Sequence, residues 1–407
     1  MSTENYNIGL LGHGTVGAAY AELIEQRAGN VADLTGRRPR IEAVLTRSRG
    51  DFAAILENCE LVVELIGGVD PAREYVLAAL AAGRPVVSAN KLLLSQHGDE
   101  LFAAAQRAGV QLRFEAAVAG VVPVIRVLEE SLAGTHVDRV HGIVNGTTNF
   151  VLSEMERGLS YREALAEAQR KGFAEADPTD DVTGRDAAAK MAILARLAFG
   201  AAVRLDQVPY EGIEHLQSDD LEYAREFGLS LKLIGTAERI GDGISVRVHP
   251  AFLYPGHPLA SVSGPFNAVT VESDAITEVT MSGPGAGGLQ TASAVLGDTV
   301  GVMLGGAWRP RPATPCELLS DVKSSFYIHM EVADRPGVLA SVTQVLGDSD
   351  VSIKSVVQRG MGESARLVMV THPVAESQLR RAIESAADFE FLRHPPRTIR
   401  VIEEEFV

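Results

Sequence analysis

Four carboxylates and one amine stand out in DPTDDVTGRDAAAK, residues 177–190. Asp177, Asp180, Asp181 and Asp186 fall within ten residues, and Lys190 closes the stretch among alanines. Carboxylates this close repel one another unless a cation lies among them. The stretch is therefore either an acidic loop capping a helix beside a solvated salt bridge, or a site that holds a cation and moves a proton. Asp177-Pro178 disfavours helix at Asp177 and Gly184 adds a joint, so 173–183 is expected as loop, with a helix from about Asp186 to Phe199. On a 3.6-residue period Lys190 shares a face with Asp186, Ile193, Leu194 and Leu197, while Arg185 and Arg196 project from the other side. A lysine on an apolar stripe is costly unless paired or functional. As a surface i,i+4 pair with Asp186 it contributes only about 0.2–0.5 kcal/mol; in a cleft the same pair holds a proton donor in place. Spacing alone leaves both readings open.

The elements that would position such a site begin near the N-terminus. YNIGLL (6–11) reads as a buried strand, GHGTVG (12–17) follows, and AAYAELIEQRAG reads as a helix ended by Gly29. Between a strand and a helix, G-x-G-x-x-G has a mechanism. Gly12 permits the tight turn, Gly14 lets a pyrophosphate approach the backbone, Gly17 lets helix pack on strand, and Thr15 and Val16 open the helix whose N-terminus faces the phosphates. Further strands are expected at 40–46, 60–68, 85–90 and 110–116, with helices at 71–82 and 98–108. Near-continuous apolar strands alternating with helices imply an α/β fold with a Rossmann-type, doubly wound parallel sheet that binds ligands at the carboxyl ends of its strands. An NAD site usually places an acid after the second strand. Here Arg47 and Arg49 follow it and could hold a 2′-phosphate, which favours NADP; Asp51 keeps NAD open, and solvated loop arginines are the plain alternative.

From 140 the pattern changes. HGIVNGTTNFVL starts as a strand and enters a polar, turn-forming cluster, Asn145 to Asn149, and 160–172 is helical. GPGAGG (283–288) precedes another helical pattern; its amides face a cofactor or substrate carboxylate, or simply start a helix. The chain of 407 residues is long for one core. A net charge of −16 argues against nonspecific nucleic-acid binding. Two cysteines, Cys59 and Cys316, suggest no disulfide framework and fit a cytoplasmic setting. No run of about 18 apolar residues predicts a membrane span, and the first residues lack a leader pattern.

With these residues in view, the chain resembles homoserine dehydrogenase, of the monofunctional bacterial type. AQRKGFAEADPTDDVTGRDAAAK (168–190) fills the family signature, and GLLGHGTVG, ELIGG (64–68), SANK (88–91), EAAVAG (115–120), NGTTNF (145–150), HPLA (257–260) and GPGAG (283–287) follow its other motifs in order. The resemblance implies NAD(P)-dependent interconversion of L-homoserine and L-aspartate 4-semialdehyde. It implies Lys190 as proton donor and carbonyl polariser, Asp186 orienting it or binding substrate, and Lys91 near the reacting oxygen and nicotinamide. It implies Glu175 and Asp181 on the substrate ammonium, and Ser88 and Gly285 among the cofactor contacts. Asp177 and Asp180 are expected as loop structure. The family often binds a monovalent cation, Na or K, through backbone atoms, here around Glu115, Val118, Gly120 and Val122. His13, Val121 and Gln290 depart from the family pattern, where an apolar residue, a glycine and a proline are usual.

The resemblance implies domains at 1–135 for the nucleotide and 136–305 for substrate and dimerisation, with 283–305 returning to the cofactor domain. A proline-rich stretch, 306–323, reads as a linker. Beyond it the order strand-helix-strand-strand-helix-strand is ferredoxin-like, from SFYIHMEVA to RTIRVIEE (397–404), with Asp334 as a helix cap and Pro336 in the first turn. Residues 324–407 resemble the ACT regulatory domain through DRPGVL. That implies inhibition by L-threonine bound near Asp334, Pro336, Gly337, Val338 and Leu339, and a homodimer or homotetramer; an oligomerisation module without ligand is the alternative. Other readings are another amino-acid or semialdehyde NAD(P) dehydrogenase with a borrowed substrate domain, and a non-catalytic amino-acid sensor; the presence of Lys91, Glu175, Asp181, Asp186 and Lys190 disfavours the sensor.

Overall fold

The computed structural model describes residues 4–306, 308, 310–360 and 365–402. Short segments apolar at successive positions fold as parallel strands because helices cover both of their faces. The first elements are β1 (Asn5–Leu11), α1 (Thr15–Thr35), β2 (Arg38–Leu45), α2 (Phe52–Asn58), β3 (Leu61–Glu64), α3 (Ala72–Ala81), β4 (Val86–Ser88), α4 (Lys91–Ala108) and β5 (Leu112–Arg113). The strands form a parallel sheet in the order β2-β1-β3-β4-β5. Ile8, Leu10, Leu61 and Val63 pack with Tyr20 and Ile24 of α1, whereas Leu11 and Val62 pack with Ile55, Val76 and Leu93 of α2, α3 and α4. The sheet is doubly wound as expected. Its order reverses between β1 and β3, and ligands of such sheets bind outside that switch point.

Three local expectations change. α1 passes through Gly29 and stops at Gly36, whose φ of 78° ends it; one interior glycine costs a helix only about 1 kcal/mol. α4 starts at Lys91 rather than near 98, because Asn90 caps it by accepting the Leu93 N–H at 3.1 Å. α2 fills a stretch with no predicted element; Asp51 caps it through the Ala53 N–H at 2.9 Å.

A single turn, α5 (Val124–Arg126), leads through a wider turn to β6 (Arg139–Ile143) and α6 (Gly146–Glu156). The cluster expected as a turn begins this helix: Asn145 accepts the Thr148 N–H at 2.9 Å. Asparagine favours turns and N-caps for the same reason, a side-chain oxygen that reaches nearby amides. Then come α7 (Tyr161–Arg170), α8 (Thr179–Val182), α9 (Arg185–Phe199), α10 (Ser218–Glu226), β7 (Ser230–Ile240), β8 (Gly243–Leu253), β9 (Phe266–Ser273), β10 (Thr277–Pro284) and α11 (Gly288–Leu304). The loop expected over 173–183 thus contains one helical turn, α8. α11 returns to the first sheet: Ala292 and Val295 join the core of Ile8 and Tyr20, and the Tyr20 and Thr299 hydroxyls lie 2.8 Å apart.

α9 is buried nearly all round, not along one stripe. Arg196, expected on a solvated side, is 8% exposed; it pairs with Asp99 at 2.7 Å and lies over Phe102. The helix is enclosed by α4 on one side and by β7 and β8 on another.

The C-terminal part has β11 (Lys323–Val332), α12 (Val338–Asp348), β12 (Ile353–Arg359), β13 (Ala365–Thr371), β14 (Val374–Ala375), α13 (Glu376–Ala386) and β15 (Arg397–Ile402). The end of the last expected strand, 403–404, lies outside the described residues. α12 begins at Val338, so neither Asp334 nor Pro336 belongs to its first turn. Gly337 has a φ of 95°, and the helix can only start after it.

Among the described residues the remaining strands form one sheet, β10-β9-β6-β7-β8-β15-β11-β13-β12, with β14 on β11. β15 pairs parallel with β8 over Ala251–Leu253, which joins the two parts. The outer edge of β8 is also met by Pro209–Glu211, through bonds to Val248, and by Glu317 and Leu319, through bonds to Ile244. The stretch expected as a linker is therefore pinned down; Arg311 in it donates to the carbonyls of Ala198 and Ala133.

Candidate active site

The N-terminus of α9 brings Asp186 and Lys190 one turn apart, and α4 delivers Lys91 from the first sheet. Lys190 Nζ donates to Asp186 Oδ2 at 2.7 Å and to the Val144 carbonyl at 2.8 Å. Lys91 pairs with Asp186 Oδ1, the other oxygen of the same carboxylate. Asp186 is buried, Lys190 nearly so, and Lys91 is partly open to solvent. Asn145 Nδ2 donates to Asp186 Oδ2 at 2.8 Å and to Asp181 Oδ1 at 2.7 Å. Two ammoniums thus share one buried carboxylate, and one amide spans two carboxylates.

The charges fix the proton preferences. Burial would push the Asp186 carboxyl up, but Lys190 and Lys91 outweigh it and hold it well below the usual carboxylate range. Burial also lowers Lys190 below the ordinary lysine value; Asp186 opposes this and the Lys91 charge adds to it. For Lys91 the carboxylate of Asp186 overcomes burial, and the net direction is up. Asp181 is raised, by burial first and by the Asp186 charge second. Lys190 is therefore the readier acid of the two lysines.

Of the crowded carboxylates, Asp181 and Asp186 meet in this cluster. Asp177 accepts the Thr179 N–H at 3.1 Å and its hydroxyl at 2.6 Å, and Asp180 pairs with Arg185 at 3.0 Å. Glu175 is exposed, in the loop before α8, and its carbonyl accepts from Gln169. Sequence reasoning missed Asn145; its signal was Asn145-Gly146-Thr147-Thr148 after a strand, where asparagine can cap the helix that follows. It also passed over Glu64, a buried carboxylate at the end of β3. Glu64 accepts from the Ser88 hydroxyl at 2.6 Å and from the Ile66 and Gly67 amides at 2.8 and 3.3 Å. Ser88 in turn accepts the Asn90 N–H at 3.1 Å, beside Lys91. Ser88 is thus committed to holding the end of β4.

At the carboxyl ends of β1–β3 lies a cavity of about 470 Å³, lined by Gly12, His13, Gly14, Arg47, Ser48, Ile66 and Tyr75 among others. Gly12 has a φ of 96°, and a Cβ there would lie 2.5 Å from the Leu65 carbonyl oxygen. A Cβ on Gly17 would lie 2.3 Å from the Gly12 oxygen, whereas one on Gly14 would stand in open space. Gly14 offers no side-chain cap to α1, so the Thr15 and Val16 end of that helix is open to an anion. Arg47 lines the cavity; Arg49, across the turn, gives its carbonyl to the Thr46 amide at 2.7 Å and is not among the lining residues. Asp51 is occupied as the cap of α2.

The 115–122 loop runs beneath the turn at 283–288. Gly120 has a φ of 67°, and a Cβ on it would lie 2.6 Å from the Gly285 oxygen. The carbonyls of Glu115 and Val122 accept the Val118 and Val124 amides, at 3.3 and 2.8 Å, so a cation there would use their remaining lone pairs. The Glu115 carboxylate holds the Ile125 and Arg126 amides, and burial together with nearby Asp298 raises it to about 7. Val121 packs where a Cβ of Gly283 would be crowded at 3.2 Å, and Gln290 folds over the Cβ position of Gly287. Asp334 accepts from Gln358 at 3.1 Å; Pro336, Gly337 and Leu339 are exposed beside buried Val338.

Comparison with known families decides what this arrangement belongs to. Residues 12–115 match the model of the homoserine dehydrogenase NAD-binding domain, 123–300 that of homoserine dehydrogenase, and 326–390 that of the ACT domain. Homoserine dehydrogenase of Corynebacterium glutamicum is 42% identical over 93% of this chain and 91% of its own. The chain belongs to the homoserine dehydrogenase family. It is an NAD(P)-dependent oxidoreductase whose first sheet is the nucleotide domain and whose C-terminal part is an ACT domain. The family enzyme of Neisseria gonorrhoeae is 37% identical over 97% of this chain and 98% of its own. A solved homoserine dehydrogenase from Thiobacillus denitrificans has a TM-score of 0.93 at 36% identity, over 98% of this chain and 99% of that one. A hyperthermophilic archaeal member in complex with NADPH covers 75% of this chain and 100% of its own, at TM-score 0.65 and 26% identity. Among the described residues no helix is long and apolar enough to cross a membrane.

Proposed function

We propose that the protein interconverts L-aspartate 4-semialdehyde and L-homoserine, on the route to threonine, methionine and isoleucine, with NADPH as the preferred reductant. The observation that carries this reading is the meeting of Lys91 and Lys190, from two domains, on the single buried carboxylate of Asp186. NADPH, when bound, supplies a hydride to the aldehyde carbon. As the carbonyl electrons move to oxygen, Lys190 gives that oxygen a proton and becomes a neutral amine. Before this step the two lysines and Asp186 carry a net charge of one positive unit; after it, Lys91 and Asp186 balance. Release of the proton therefore relieves repulsion between the two ammoniums, which is why Lys91 beside it makes Lys190 a better acid. Asp181 and Glu175 take the α-ammonium, and Asn145 keeps Asp181 and Asp186 apart while binding both. Purified protein mixed with NADPH and L-aspartate 4-semialdehyde should show substrate-dependent loss of NADPH absorbance; none above the blank would sink the reading.

Gly12, Gly14 and Gly17 and the open start of α1 would hold the cofactor's pyrophosphate, and Arg47 would meet its 2′-phosphate. Arg47→Ala should raise KM for NADPH about ten-fold, the loss of one charge-assisted contact, with NADH little affected. An equal change for both cofactors would remove the argument for NADP. L-threonine acts at 334–339 of the ACT domain in a cytoplasmic homodimer or homotetramer, with Na or K at the 115–122 loop. Threonine should inhibit the wild type and inhibit Asp334→Ala several-fold less, measured as half-inhibitory concentration; identical curves would move the effector elsewhere.

A further inference from the structure

A segment that supplies none of the site residues touches the acidic turn that carries Asp181 and leads into Asp186. Residues 211–213 cross the turn between α8 and α9 backbone to backbone. Ile213 N donates to the Val182 carbonyl at 2.9 Å. A Cβ on Gly212 would lie 2.1 Å from that carbonyl oxygen, and one on Gly184 would lie 3.2 Å from the Glu211 oxygen. No side chain intervenes to absorb a shift. Val182 ends the turn that carries Asp181, and Gly184 directly precedes the first residues of α9, including Asp186. A displacement at 211 therefore reaches both carboxylates of the site.

Glu211 is itself held from the C-terminal domain. Its Oε2 accepts from Arg400 Nη1 at 2.9 Å, its Oε1 pairs with His215 at 3.1 Å, and its amide donates to the Val248 carbonyl of β8. Arg400 is on β15, mostly buried, over the Phe326 ring, and its other arm bonds Glu376 at 2.7 Å. β15 is the strand that pairs with β8. Arg400 thus sits where the regulatory domain meets the edge of the substrate domain.

We propose that Glu211 is a positioning residue of the active site, and that Arg400 holds it, so that the C-terminal domain sets the placement of Asp181 and Asp186 through a backbone joint at Gly212 and Gly184. The link rests on the reaction reading above only for its kinetic test. An ion pair this open on the Glu211 side adds little to global stability, so its effect is read in position.

Glu211→Gln and Arg400→Gln should each raise KM for L-aspartate 4-semialdehyde about five-fold, and the double variant should match the singles rather than multiply them, as coupled neighbours do. KM for NADPH should stay at the wild-type value, because its glycine loop lies in the other domain. In the same variants, hydrogen exchange at the Ile213, Gly184 and Ala188 amides should speed up relative to wild type. Unchanged semialdehyde KM, a parallel rise in NADPH KM, or multiplied effects would overturn the kinetic link, and unchanged exchange would overturn the joint itself. A wild type that turns over no semialdehyde would refute the reaction alone, leaving the exchange result to decide the link.

Discussion

Lys190→Ala should lower the turnover of semialdehyde reduction by about three orders of magnitude, within the range a positioned general acid supplies, while NADPH affinity stays within about two-fold. The two effects separate because Lys190 lies on α9 of the substrate domain, whereas the phosphate turn follows β1. The alanine variant also leaves Val144 O and Asp186 Oδ2 each short of one donor. Lys91 remains on the other carboxylate oxygen, so the cluster keeps a cation and the fold should survive. Turnover near that of wild type would remove Lys190 from proton transfer. A fall in NADPH binding of the same size as the fall in turnover would mean that the domain interface had moved instead.

Asp186→Asn should be the second most damaging change, and its pH dependence carries the information. With the carboxylate gone, two ammoniums face a neutral amide, and both lose the anion that keeps them charged. With Lys190 as the proton donor proposed above, reduction needs it protonated, so the rate should fall as pH rises through the Lys190 pKa, which burial already places below the ordinary lysine value of 10.5. Loss of Asp186 lowers that pKa further, and the alkaline limb of kcat should move to lower pH, with turnover at neutral pH down about a hundred-fold. The oxidation direction, which needs the neutral amine, should be less impaired at high pH. An alkaline limb that stays in place would show that Asp186 does not set the acid. Stability should fall by about 3 kcal/mol, the low end for breaking a buried pair, since Lys91 opens to water. In the wild type the contribution of Asp186 is complete above the unfolded aspartate value of 3.8 and is lost as pH falls below it towards the depressed folded value.

Much of this was legible where the signal is local. Asp186 and Lys190 share one helix turn, and spacing pairs them without a structure. The nucleotide domain was readable because apolar runs, Gly12, Gly14 and Gly17 recur in an order that one sheet type demands. What was not legible crosses the chain. Asn145 reaches Asp186 from 41 residues away, across the junction of β6 and α6. Arg196 looked solvated because a helical wheel assumes one wet side, and α9 has none. β7 hides Lys232 and Glu238 among apolar neighbours, and buried charges blur a period of two. The contact of Gly212 with Val182 leaves no mark in composition at all.

The seam along β8 has a practical meaning for anyone shortening this chain. Three separate segments, 209–211, 317–319 and 400–402, take up its outward-facing polar groups. A chain cut after α11 would keep only the first of them. The bared strand would then offer its hydrogen bonds to a neighbour, the ordinary route by which exposed edges aggregate. The proposed threonine site is better tested by changing side chains in the last domain than by deleting it.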